Sequence, residues 1–143
     1  MIKTIPHNQP TIGLKEAEAV KSALVNKNLS TGKLVDHFEG QLALKLRINK
    51  KNIVAVNSGS TALFLILKLF YKIKSRIALP SYSCSSLYQA VKLANHETVF
   101  YDVHPNSVEF IFPDSSLYDT IIVPHLFGLP CNLQSVPVER CIE

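Results

Sequence analysis

No two cysteines in this chain stand at a CxxC spacing. The three present, Cys84, Cys131 and Cys141, are also odd in number. Neither a disulfide framework nor a zinc site is implied, and a reducing, cytoplasmic setting fits best. Charged residues make up only 18% of the chain, too few for a disordered one. Long apolar runs are missing. The longest, residues 62–67, falls far short of the roughly 20 residues that span a bilayer, so no membrane partner is expected. The start of the chain carries no signal-peptide h-region. Basic residues are not clustered: 15 Lys and Arg oppose 11 Asp and Glu, and Lys50-Lys51 is the one adjacent pair. A nucleic-acid partner would want a basic face with interleaved aromatics, so none is expected. The excess of +4 reads as solvated surface with a slight bias towards anionic ligands. The phosphate-loop pattern GxxxxGK[ST] and the dinucleotide pattern GxGxxG are absent. No GxSxG elbow surrounds any serine. His7, His37, His96, His104 and His125 are dispersed without metal-ligand spacing.

What is present is a core. Hydrophobic residues form 47% of 143 positions, enough for one globular unit. A mean hydropathy of +0.15 fits either a well-buried α/β core or a surface meant to be covered by another domain or subunit. Pro6 and Pro10 make residues 1–12 an extended arm. Leu14, Ala17, Val20 and Leu24 recur at helical spacing, and Val35, Phe38, Leu42 and Leu46 form a second stripe over residues 34–46. Residues 53–57 read as a strand, and residues 59–71 as a helix apolar almost all round, hence buried on several sides. Further strands are expected at 77–79, 98–103 and 119–123, with a short one around 108–111. A further helix is expected over 83–94, and a buried strand at the last residues, Cys141-Ile142-Glu143. Strands alternating with helices predict an α/β, three-layer αβα fold with a mainly parallel sheet. Ligands in such sheets sit at the carboxyl ends of the strands.

Those ends carry the candidate chemistry. In Ser58-Gly59-Ser60-Thr61, a glycine at the start of a helix lets an anion approach backbone N–H groups, with hydroxyls and the helix dipole adding attraction. On these four residues alone, a plain helix cap at Ser58 is the stronger reading. His125, at the end of an apolar strand, either faces a ligand or bonds a loop carbonyl. Ser81 to Ser86 surrounds Cys84 with hydroxyls. That makes Cys84 a weak nucleophile candidate in what is foremost a helix start rich in capping residues.

The order of these segments resembles the DegT/StrS family of sugar aminotransferases, enzymes dependent on pyridoxal phosphate (PLP). Ile5-Pro6 with Pro10-Thr11-Ile12-Gly13 is similar to the family's opening arm. Ser30-Thr31-Gly32 and Phe38-Glu39 match its Thr-Gly loop and Phe-Glu helix, and residues 56–63 match its Val-Asn-Ser-Gly segment. Pro80-Ser81-Tyr82-Ser83, Tyr101-Asp102-Val103 and His125-Leu126-Phe127-Gly128-Leu129-Pro130 follow in the family's order. The resemblance implies that Gly59, Ser60 and Thr61 hold the cofactor phosphate. It also places Cys84 against the cofactor ring, where the family usually has Phe or Trp; a thiol offers no face for stacking. Residues 1–52 then form an N-terminal arm with helices, and residues 53–143 part of the PLP-binding large domain, in one continuous, incomplete domain.

Further implications concern what the family carries later. Its Asp, which pairs with the pyridinium nitrogen, would follow Glu143, and no Lys after Lys92 offers itself for the Schiff base. The expectation is the N-terminal third of a nucleotide-sugar aminotransferase, inactive alone. Its substrates would be a nucleotide-linked keto-sugar and an amino-acid donor, and its products would serve polysaccharide synthesis. A homodimer, or a complementing chain in a split enzyme, would complete the site. A non-catalytic phosphate-ligand or interaction module is the reading from a different class.

Overall fold

The computed structural model describes residues 9–107 and 109–143. The Ile5-Pro6 arm, His7 and Val108 lie outside them. The chain forms two compact units, residues 1–55 and residues 56–143.

In the first unit, helix α1 (Leu14–Val25) starts where the Gly13 N–H donates to Glu16 Oε2 at 2.7 Å. That bond holds the exposed Glu16 carboxyl below its usual range. Helix α2 (Lys33–Leu46) ends at Arg47 in the left-handed region, φ 56°. The Ile48 N–H then closes back on the Ala43 carbonyl. Asn49 Oδ1 accepts the Lys51 N–H and starts a 3-10 turn, Lys50–Asn52, and Lys50 pairs with Asp36. The helical periodicities hold, but the apolar stripes are not covered. Val20, Leu24, Phe38 and Leu46 are exposed, and Ala43 is the one residue of α2 that is buried.

Residues 53–57 form no strand, and Asn57 lies at a bend, which corrects the sequence-based expectation. The reason is a missing ladder. The Ala55 N–H donates to Glu39 Oε1 at 2.9 Å rather than to a neighbouring strand. Alternating apolar residues make an extended segment competent to pair; only a partner makes it a strand.

The second unit begins with helix α3 (Gly59–Phe70), then β1 (Arg76–Pro80), α4 (Ser85–Leu93) and β2 (Glu97–Val103). Two-residue β3 (Phe110–Ile111), β4 (Thr120–Ile122) and two-residue β5 (Cys141–Ile142) complete a sheet of order β3-β2-β1-β4-β5. All pairings are parallel except β2 with β3. The α/β class and mainly parallel sheet match the expectation. Side chains alternate across the sheet. Ile77, Leu79 and Ile122 face α3 and α4, where they meet Leu63, Leu67, Ala90, Val91 and Ala94. Ala78, Ile121 and Val123 face the other way, onto Tyr101, Tyr118 and Val136. Buried His96 ties this core together, its Nε2 donating to the Leu67 carbonyl at 3.0 Å.

Helix α3 is buried or half-buried at every residue from Thr61 to Leu67, while its last turn, Lys68 to Phe70, is exposed. Leu63 and Leu67 are buried, whereas Leu69 and Phe70 are 72% and 77% exposed. One neighbouring helix and one sheet face can enclose only part of a helix that is apolar around its whole circumference.

Candidate functional site

From β1 the chain runs outward through α4 to β2 and β3, then returns to place β4 on the opposite side of β1. The reversal opens a crevice at the carboxyl ends of β1 and β4, the place where open α/β sheets take ligands. A cleft of about 440 Å³ lies there. Ile122, Val123 and Pro124 line it from the end of β4, Ile142 and Glu143 from β5, Ser86 and Leu87 from the start of α4, and Gly59, Ser60, Ala62, Leu63 and Ile66 from α3.

The start of α3 is built by its cap. Ser58, extended at φ −160° and ψ 157°, accepts the Thr61 N–H on Oγ at 3.1 Å. The Ser58 and Thr61 hydroxyls also bond each other at 3.0 Å, and the Ser58 carbonyl accepts the Ala62 N–H. The Gly59 and Ser60 N–H groups have no acceptor among the described residues, as expected for the leading amides of a helix. A Cβ built at Gly59 would meet nothing within 4 Å, so the backbone there is approachable. Two free amides, the positive end of a 12-residue helix and an open approach fit the phosphate end of a cofactor.

Of the sequence-predicted residues, Gly59 and Ser60 reach the cleft wall, while Thr61 and Cys84 are not among its lining residues. Thr61 has its amide and hydroxyl engaged by Ser58. Cys84 caps α4 by backbone position, without a side-chain bond to the helix. Its exposed thiol lies 3.1 Å from the Ser86 Oγ. The Ser86 hydroxyl, then the Ser86 backbone, pull its pKa below the ordinary thiol value. Cys131 and Cys141 go the other way, raised first by burial and then by the nearby Glu143 carboxylate.

His125 is held at both ring nitrogens. Nδ1 accepts the Cys131 N–H at 3.1 Å, so the proton sits on Nε2, which donates to Glu143 Oε2 at 2.8 Å. The loop carbonyl considered as its partner is instead a loop N–H. Sequence reasoning missed Glu143 as a site residue. Nothing in a one-dimensional reading sets residues 125 and 143 side by side until β4 and β5 are known to be neighbours.

The sheet is open and mainly parallel, and a helix N-terminus lies at its switch-point crevice. The chain belongs to the DegT/DnrJ/EryC1/StrS aminotransferase family, whose pattern matches residues 10–138. It is similar to dTDP-4-dehydro-2,3,6-trideoxy-D-glucose 4-aminotransferase of Saccharopolyspora spinosa, with 28% identity over 135 residues. That match covers 90% of this chain and 35% of the relative, so the chain spans about a third of that enzyme's length. Among solved structures, a Streptococcus pneumoniae protein classed as a sugar aminotransferase, in its PMP form, superposes with a TM-score of 0.76. The identity is 24%, over 91% of this chain and 34% of that one. The E. coli GDP-4-keto-6-deoxy-D-mannose-3-dehydratase with bound hydrated PLP gives 0.69 at 24% identity, over 83% and 33%. At this identity the structural matches show the fold. Among the described residues, no helix is long and apolar enough to cross a membrane.

Proposed function

We propose that this chain builds the phosphate-holding side of the cofactor site in a PLP-dependent sugar aminotransferase. The observation that carries the reading is the start of α3: two free amides, at Gly59 and Ser60, opening onto the switch-point cleft of a chain that belongs to this family. The Gly59 and Ser60 N–H groups and the dipole of α3 would bind the phosphate dianion, and the Ser60 hydroxyl can add a donor. Ser58 and Thr61 act behind them, fixing the first turn so that the amides point outward. Cys84 stands at the mouth of α4, where its thiol offers a small polarisable contact to the ring. When bound, the cofactor supplies an electron sink for amino transfer.

The substrate class follows from the relatives. One is named for a dTDP-linked keto-sugar and another for a GDP-linked one. A nucleotide-linked keto-sugar with an amino-acid donor, in a homodimer serving glycoconjugate synthesis in the cytoplasm, is therefore the proposed setting. The pyridinium-facing carboxylate and the cofactor lysine would come from further polypeptide, in the same chain or a complementing one. The exposed Leu69 and Phe70 on α3 favour a covering partner of that kind.

The test titrates the protein with pyridoxamine 5′-phosphate and, in parallel, with pyridoxamine. The amine form avoids the indiscriminate reaction of an aldehyde with surface lysines. Binding that needs the phosphate and weakens in Gly59→Val supports the proposal. Equal affinity for the two ligands, or indifference to Gly59→Val, refutes it.

A further inference from the structure

The bonds at His125 continue the sheet beyond its backbone ladder. Strand β5 is two residues long and lies at the edge, paired with β4 in the register Ile121↔Cys141 and Ile122↔Ile142. Its last backbone bond runs from the Val123 N–H to the Ile142 carbonyl at 2.8 Å. One residue further along, Glu143 meets His125, which lies just past the end of β4. The Glu143–His125 bond is a side-chain rung beside that backbone one.

Alternation decides what that rung controls. Ile142 packs on the α3–α4 side and lines the cleft, whereas Cys141 packs on the opposite face with Cys131. Glu143 follows Ile142 at the cleft, and its carboxylate is met by the His125 ring. The ring is itself fixed. The Cys131 N–H on Nδ1 orients it, and the loop it belongs to is wound tightly through Phe127 and Gly128, both in the left-handed region at φ 57° and 74°. The Gly128 N–H closes on the His125 carbonyl at 3.2 Å.

We propose that His125 is a positioning residue. With the Cys131 N–H on one nitrogen and the Glu143 carboxylate on the other, it clamps β5 to the loop that follows β4. It thereby sets Ile142, the wall of the cleft that faces Gly59 and Ser60. The clamp rests on the cofactor-phosphate reading of that cleft for its functional consequence, though not for its geometry.

Two isosteres separate the two nitrogens. Asn places an oxygen where Nδ1 stands, keeping the Cys131 bond and losing Glu143. Gln places an N–H where Nε2 stands, keeping Glu143 and losing Cys131. Wild type, His125→Asn, His125→Gln, Glu143→Ala and the double variant His125→Asn/Glu143→Ala are compared in two assays. These are hydrogen exchange at the Val123 amide and affinity for pyridoxamine 5′-phosphate. His125→Asn should speed exchange and weaken binding by about fivefold, the value of one modest hydrogen bond, and Glu143→Ala, whose side chain also lines the cleft, should speed exchange by the same factor. In exchange the double variant should be no worse than either single one, and His125→Gln, which loses only the Cys131 bond, should fall between wild type and His125→Asn. Equal damage from Gln and Asn, full additivity in the double variant, or unchanged Val123 exchange overturns the clamp. If wild type binds no pyridoxamine phosphate, the cofactor reading fails while Val123 exchange still decides the clamp.

Discussion

Replacing Gly59 by Ala should stabilise the protein while weakening its hold on phosphate. Gly59 is the first residue of α3, and a Cβ there meets nothing within 4 Å. It is not among the residues with positive φ. A methyl group at such a position removes unfolded-state freedom without strain, worth about 0.4–1 kcal/mol. For a chain of this size that raises Tm by roughly 1–4 °C. The same methyl stands where an anion would approach the Gly59 and Ser60 amides. Displacing the phosphate from one charge-assisted N–H bond costs about 1.5–3 kcal/mol, a loss of roughly tenfold to a hundredfold in Kd. Thermal melts read the first effect, and calorimetric titration with pyridoxamine 5′-phosphate reads the second. Opposite signs are the signature of a glycine kept for access and not for backbone conformation. A falling Tm would show that the first turn of α3 needs glycine's conformational freedom. A higher Tm with unchanged affinity would show that no phosphate sits there.

Three further outcomes follow from groups away from the cleft. Iodoacetamide should modify Cys84 first, since its thiol is exposed and its pKa lowered, whereas Cys131 and Cys141 are half-buried and raised; mass spectrometry of a short reaction checks the order. His96→Phe should cost about 1–3 kcal/mol in chemical unfolding, because the Leu67 carbonyl inside the core loses its donor. Asp119 has its pKa lowered first by the Arg76 N–H at 2.7 Å and then, against the opposing effect of burial, by the Arg76 side chain. Its folded carboxyl titrates below the unfolded one. Its contribution to stability is therefore present above about pH 4 and lost as pH falls through the lower folded value. Asp119→Asn should flatten that acid limb of the stability curve, by a small amount because the pair is half exposed.

The elements that the sequence displayed well are those whose neighbours are close in the chain. The stripes of α1 and α2, the turn at Asn49, and the β1–α4–β2 unit follow from local periodicity and from capping residues. The candidate turn from Ser58 to Thr61 stood out as an ordered string of residues at a helix start, and the structure shows Ser58 capping that helix. Failures came where a distant partner decides the outcome. Residues 53–57 had the composition of a strand, but Glu39 took the Ala55 N–H. The α3 helix had the composition of a buried one, and it is covered over residues 61–67 but not in its last turn. His125 and Glu143 lie 18 residues apart and meet only because β4 and β5 are parallel neighbours.

The central strand of the sheet is also the first to be synthesised. β1 acquires β2 through one local crossover, but its other flank stays bare until β4 arrives, when the Arg76 N–H closes on Asp119 across 43 positions. Each of those closures costs chain entropy before any burial repays it, so assembly of the sheet is governed by long-range encounters. While they are pending, Ile121 and Val123 have no second face to shelter against. The crevice between β1 and β4 therefore takes shape only after the local β1–α4–β2 unit has formed.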